Sequence, residues 1–155
     1  MEPDKFDVAF LLERVREVFE QLPFNRYLGI GVTYLNPDGA GLDFAMRDEL
    51  IGNFVHGILH GGVISSVLDA TGGLTAMASA VGRLVDAPPE EIKNRIARVG
   101  TIDLRVDYLR PGKGDHFYAG SSIMRTGRKV AVTRMELKNQ EDLLIAVGTG
   151  AYLIG

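Results

Sequence analysis

The 155-residue chain contains no cysteine, which excludes a disulfide framework and any thiolate metal site. It also lacks an excess of basic charge. Seventeen Lys and Arg face twenty Asp and Glu, a net charge of −3, and that balance speaks against a nucleic-acid partner. The start, Met1-Glu2-Pro3-Asp4, is acidic and has no apolar core, so no signal peptide is expected. There is no repeat, linker or low-complexity segment. No Gly-x-Ser-x-Gly elbow is present, which leaves a serine-hydrolase triad unsupported. His56 and His60 are four apart, but Gly57 lies between them and no Glu follows His56, so no metal site is expected. Gly29, Gly31, Gly39 and Gly41 precede no helix pattern and make no dinucleotide fingerprint. One apolar stretch, 61–82, is long enough to invite a membrane reading. It carries Ser65, Ser66, Asp69, Thr71, Thr75 and Ser79, and an Asp at mid-membrane costs about 2.5–3.5 kcal/mol. The expectation is one soluble cytoplasmic domain over 1–155, with no membrane association, burying roughly 68–70% of its unfolded surface.

What is present is organised around residues 59–81, LHGGVISSVLDATGGLTAMASAV. Apolar side chains at 63, 67, 70, 74, 77 and 81 recur at helical spacing and predict a buried helix. Asp69 is its only acid. Upstream, a first helix over about 4–22, capped by Asp4, has a stripe of Val8, Leu11, Leu12, Val15, Val18, Phe19 and Leu22. Arg16 and Glu20 are on its water face, and Pro23 ends it. Residues 27–35 and 40–46 read as strands joined at Asn36-Pro37-Asp38-Gly39, and 47–58 as a loop. After Pro88 and Pro89 a short helix uses Ile92 and Ile96. Four strands follow, at 98–109, 116–125, 129–138 and 143–153. In the first of these, Ile102, Leu104, Val106 and Tyr108 share one face and Thr101, Asp103, Arg105 and Asp107 the other. This order predicts an α+β fold, an antiparallel sheet wrapped around one central long helix.

Candidate chemistry sits on that helix. Its start, His60-Gly61-Gly62, presents free N–H groups and the positive end of the helix dipole, which suits an oxygen gaining negative charge. Asp69 is costly on an apolar helix unless paired or used, so it is either a catalytic base or nucleophile, or a carboxylate bonded to backbone and hydroxyls. Gly61 and Asp69 are eight residues apart, about 12 Å along a helix. They cannot reach one carbonyl from the same subunit, so an enzyme built on both requires an oligomer.

His60-Gly61-Gly62 with Asp69 nine residues after the histidine resembles the PaaI-type hotdog-fold acyl-CoA thioesterases. The runs 99–111 and Pro23-Phe24-Asn25 resemble their YigI-like subgroup, and the likeness covers nearly the whole chain. The resemblance implies hydrolysis of medium- or long-chain acyl-CoA to a free acid and coenzyme A. Coenzyme A enters as part of the substrate, and no other cofactor is expected. The site is expected at the interface of a homodimer or homotetramer. Asp69 is then base or nucleophile and the Gly61 N–H the oxyanion donor; His60 assists, and Thr101 positions water. The glycines and alanines of the long helix leave room for an alkyl tail. Relatives of this type carry Asn six residues before the His. Here that position is Phe54, and Asn53 or His56 takes over the task. Gly62 and His56 join the substrate-binding set, with Arg125, Arg128 and Lys129 near the coenzyme A phosphates. An enoyl-CoA hydratase of this fold needs a His five residues after the Asp, where Leu74 stands. A non-catalytic acyl-CoA-binding module is the alternative.

Overall fold

The computed structural model describes residues 7–155. Asp4, the expected cap of the first helix, lies outside them. The cap is instead Asp7, whose carboxylate accepts from the Ala9 N–H, and α1 runs Val8–Gln21. Leu11, Leu12, Val15 and Phe19 are buried, whereas Val18 and Leu22 are exposed, so the stripe is narrower than the sequence suggested. Pro23 ends α1 and also starts a new helix, α2 (Pro23–Leu28), because its fixed φ suits a first helical position. The expected strand from 27 therefore begins later. Gly29, at φ +72°, turns the chain out of α2, and β1 is Gly31–Asn36.

β1 joins β2 (Gly39–Ala45) through the anticipated turn, whose Asn36 side chain accepts from the Asp38 N–H. The segment 47–58 is more ordered than a loop. It holds a 3₁₀ turn, Asp48–Leu50, and a small hairpin, β3 (Ile51–Asn53) with β4 (Ile58–Leu59). Next come α3 (Gly61–Gly82), α4 (Pro89–Ala97), β5 (Gly100–Tyr108), β6 (His116–Thr126), β7 (Val130–Asn139) and β8 (Leu144–Leu153). The main sheet is antiparallel in the order β1-β2-β6-β7-β8-β5.

The sheet curls around α3. Val67, Leu68, Leu74, Ala78 and Val81 are fully buried against Leu42, Phe44, Phe117, Met135, Leu137 and Ile145 of the strands. Hydroxyls inside the helix are satisfied locally: Thr71 donates to the Val67 carbonyl and Thr75 to that of Thr71. No helix among the described residues is long and apolar enough to cross a membrane.

The two edges of the sheet differ. At β1, Glu20 accepts from the Val32 N–H (2.8 Å) and Arg16 donates to the Val32 carbonyl (3.0 Å). These two side chains face the strand edge rather than water and cap its open hydrogen-bonding groups. At β5, nothing among the described residues pairs with the outer edge.

Candidate active site

The start of α3 is fixed from three directions. His60 donates its N–H to the Leu50 carbonyl (2.8 Å), and Leu59 donates to that of Gly112 (2.9 Å). Tyr108, from β5, donates its hydroxyl to the Gly61 carbonyl at 3.1 Å. His60 itself is the N-cap: its Nδ1 accepts from the Gly62 N–H at 2.8 Å. That bond assigns the neutral ring's proton to Nε2. It also spends the Gly62 N–H, so Gly62, placed in the substrate-binding set by resemblance, does not offer that donor. The Gly61 N–H donates to no protein acceptor among the described residues. One unpaired N–H therefore remains at the positive end of α3.

Asp69 lies two turns further along, half-buried on the side of the helix that faces β5 and β8. The Thr101 hydroxyl sits 3.0 Å from its Oδ1 and 3.2 Å from its Oδ2. Tyr152 donates to Oδ1 at 3.1 Å and lies equally near the Asp69 carbonyl. Thr101 reaches the carboxylate because of a bulge. The register of β5 against β8 slips between Thr101 and Asp103, which turns Thr101 toward the helix and leaves Ile102 58% exposed. The simple alternation that set Thr101 opposite Leu104 and Val106 is thereby corrected: all three face α3.

Tyr152 is 1% exposed, and its phenol is held well above the usual tyrosine range. Burial is the main cause, the charge of Asp69 and the bond to it come next, and the Thr133 hydroxyl works the other way. This predicts an alkaline weakness. Below about pH 10 the phenol is neutral in both folded and unfolded chains. Above that, the unfolded chain gives up its proton while the native one keeps it, so stability falls with rising pH. The limit is about 1.4 kcal/mol per pH unit. Urea unfolding across that range checks this: Tyr152→Phe flattens the slope, and an equal slope in both proteins contradicts it.

The room beside Gly72 is not left for an alkyl tail. A Cβ there would lie 2.5 Å from the Tyr152 hydroxyl, 2.7 Å from Thr133 Oγ1 and 2.9 Å from Met135 Sδ. The space exists for Tyr152.

Asn53 builds the tip of the β3–β4 hairpin. Its Oδ1 accepts from the N–H groups of Val55 (3.1 Å) and His56 (3.3 Å), and its carbonyl accepts from Gly57. Its acceptor is thus engaged in the turn, which holds Phe54 out at 90% exposure with His56 beside it.

Arg128 and Lys129 line a cavity of about 540 Å³ together with Arg83, Arg95 and Arg98. Arg125 lines an adjoining one with Arg128, Lys129, Val130 and Val132. Arg83 is anchored by donating to the Gly127 carbonyl at 2.8 Å, and Arg95 pairs with Glu91 at 3.5 Å. Sequence reasoning missed Tyr108, Tyr152 and these three arginines. The arginines come from the end of α3 and from α4, which only the fold brings to the β6–β7 turn.

The profile of the thioesterase superfamily matches residues 56–146. The chain is 46% identical over 145 residues to the medium/long-chain acyl-CoA thioesterase YigI of Escherichia coli, covering 93% of this chain and 94% of that one. A crystal structure from Shewanella oneidensis, described as related to the thioesterase superfamily, superimposes with a TM-score of 0.91 at 48% identity. It covers 96% of this chain and 97% of the other. A thioesterase family protein of Silicibacter pomeroyi shares the fold at a TM-score of 0.73 and 24% identity, over 96% of this chain and all of its own. By the family match and by the identity to YigI over most of both chains, the chain belongs to the thioesterase superfamily.

Proposed function

We propose that the protein hydrolyses medium- or long-chain acyl-CoA, in a homo-oligomer whose sites each combine Gly61 of one subunit with Asp69 of another. The observation that carries this reading is the hydrogen-bonded, half-buried Asp69 beside a strand edge that has no partner among the described residues. Water attacks the thioester carbonyl carbon, and Asp69 takes the water's proton. The oxygen that gains charge is met by the free Gly61 N–H. The carbon–sulfur bond then breaks, Asp69 returns the proton to the thiolate of coenzyme A, and the acid gives its own proton to solvent and leaves as carboxylate. The preference for medium or long chains rests on the likeness to YigI, since the glycine room in α3 is filled. The proposal places the protein in the cytoplasm.

Two features of β5 support a second copy as its partner. Thr101 at one end holds Asp69, and Tyr108 at the other holds Gly61. An antiparallel two-fold pairing of β5 with itself therefore carries each Asp69 toward the other subunit's helix start. Charge narrows the register. Asp103, Arg105 and Asp107 alternate on the outer face. With Leu104 or Val106 on the two-fold axis, Arg105 lies opposite an Asp of the second copy, twice over. Centred on Arg105, like charges would meet.

The basic cavity supports the substrate class. Arg83 is fourteen residues beyond Asp69, about 21 Å along α3, a reach comparable to an extended pantetheine arm. Five cations there suit the phosphates at the far end of coenzyme A. The double variant Arg98→Ala/Arg128→Ala is expected to raise KM for acyl-CoA about tenfold with little change in kcat. An acyl-pantetheine, which lacks the nucleotide, is expected to be indifferent to it. Steady-state kinetics on both substrates check this, and an unchanged KM contradicts it.

A further inference from the structure

Tyr152 has no role in the hydrolysis as drawn so far, yet it touches the carboxylate that performs it. Its hydroxyl lies 3.1 Å from Asp69 Oδ1. The slot around it is cut from three glycines. A Cβ at Gly72 would stand 2.5 Å from the phenol oxygen, one at Gly150 2.7 Å from it, and one at Gly73 3.4 Å from the ring. Two of these glycines interrupt a helix and one a strand, positions where glycine is otherwise a poor choice. Thr133 borders the same slot, its hydroxyl 3.1 Å from Met135 Sδ. The local sequence has thus been opened on both sides to admit one aromatic ring and hold its hydroxyl at one place.

Thr101 also lies nearer to Oδ1 than to Oδ2. Oδ1 is therefore crowded by two hydroxyls, and Oδ2 is the less engaged oxygen. We propose that Tyr152 is a positioning residue of the thioester hydrolysis: its O–H, with that of Thr101, holds Asp69 Oδ1 so that Oδ2 faces the attacking water. This rests on Asp69 acting as the base. A phenol in this slot keeps its proton through the working range and so always donates. A carboxylate that loses such a donor swings more freely and binds its own proton more tightly. The groups that face Asp69 from the strands packed against it are Thr101 and Tyr152, neither of them charged.

The test is Tyr152→Phe in the full chain, assayed as thiol release from a medium-chain acyl-CoA. The expected result is a kcat about tenfold to a hundredfold lower, with KM nearly unchanged. The acid limb of kcat/KM against pH is expected to move up by about one unit. A change that merely loosened packing would lower the melting temperature without moving that limb. Wild-type kcat and an unmoved limb in a folded Tyr152→Phe protein overturn the proposal. If that variant does not fold, Gly72→Ala decides: its added Cβ, 2.5 Å from the phenol oxygen, displaces the phenol from Oδ1 and leaves Asp69 and Thr101 unchanged. A fall in kcat with the limb moving the same way supports the proposal, and wild-type values for both overturn it. Failure of the underlying reading looks different, because the wild-type protein would then release no thiol at all.

Discussion

Asp69→Asn yields a folded protein that turns over acyl-CoA about a hundredfold to ten-thousandfold more slowly than wild type. The substitution keeps the shape of the side chain. An amide oxygen can still accept from Thr101 and from Tyr152, the two hydroxyls that hold the carboxylate. It cannot take a proton from water. The loss therefore falls on kcat, and thermal unfolding stays near wild type. Thiol release across a panel of acyl chain lengths measures it, and a variant as active as wild type contradicts the assignment of Asp69. The same panel separates the enzyme from a non-catalytic acyl-CoA-binding module, which would bind tightly and release no thiol from the wild-type protein.

Gly61→Pro is expected to lower kcat about a hundredfold to a thousandfold by deleting one hydrogen-bond donor. Three features make this a clean deletion. Gly61 is the first residue of α3, where proline is well tolerated because its N–H has no helical partner. His60 before it sits at φ −61°, ψ 137°, a conformation compatible with a following proline. A Cβ at Gly61 meets the Tyr108 ring at 3.5 Å, an ordinary contact. The His60 cap on Gly62 is untouched, so the helix start should survive. Circular dichroism and thermal unfolding verify the fold, and kinetics report the loss. If Gly61→Pro keeps wild-type kcat, the oxyanion donor lies elsewhere.

The pattern of residues was most informative where the contacts are local. The strands from 116 to 153 follow from alternation, and they appear within a residue or so of their expected limits. The long helix follows from its spacing, with Gly61 at its start and Asp69 two turns along. Where a residue admits two local outcomes, the reading failed. Pro23 both ends a helix and begins one, so α2 was hidden behind an apolar stretch that also suits a strand. A bulge leaves little trace in a sequence, and one inserted residue near Ile102 sent Thr101 to the opposite face. Long-range pairing was the least legible. Nothing near Gly72 says that its empty side is filled by Tyr152, 80 residues away. Arg83 and Arg98 meet beside the β6–β7 turn only once α4 has folded back.

The split site is tested most directly by mixing two crippled subunits. Asp69→Asn and Gly61→Pro chains are unfolded together and refolded, so that the copies pair at random. A mixed dimer then holds one site with both residues intact, Asp69 from the proline chain and Gly61 from the asparagine chain. About a quarter of the wild-type number of sites should return, although each variant refolded alone stays nearly inactive. If the mixture remains as inactive as its parents, Gly61 and Asp69 do not meet across subunits.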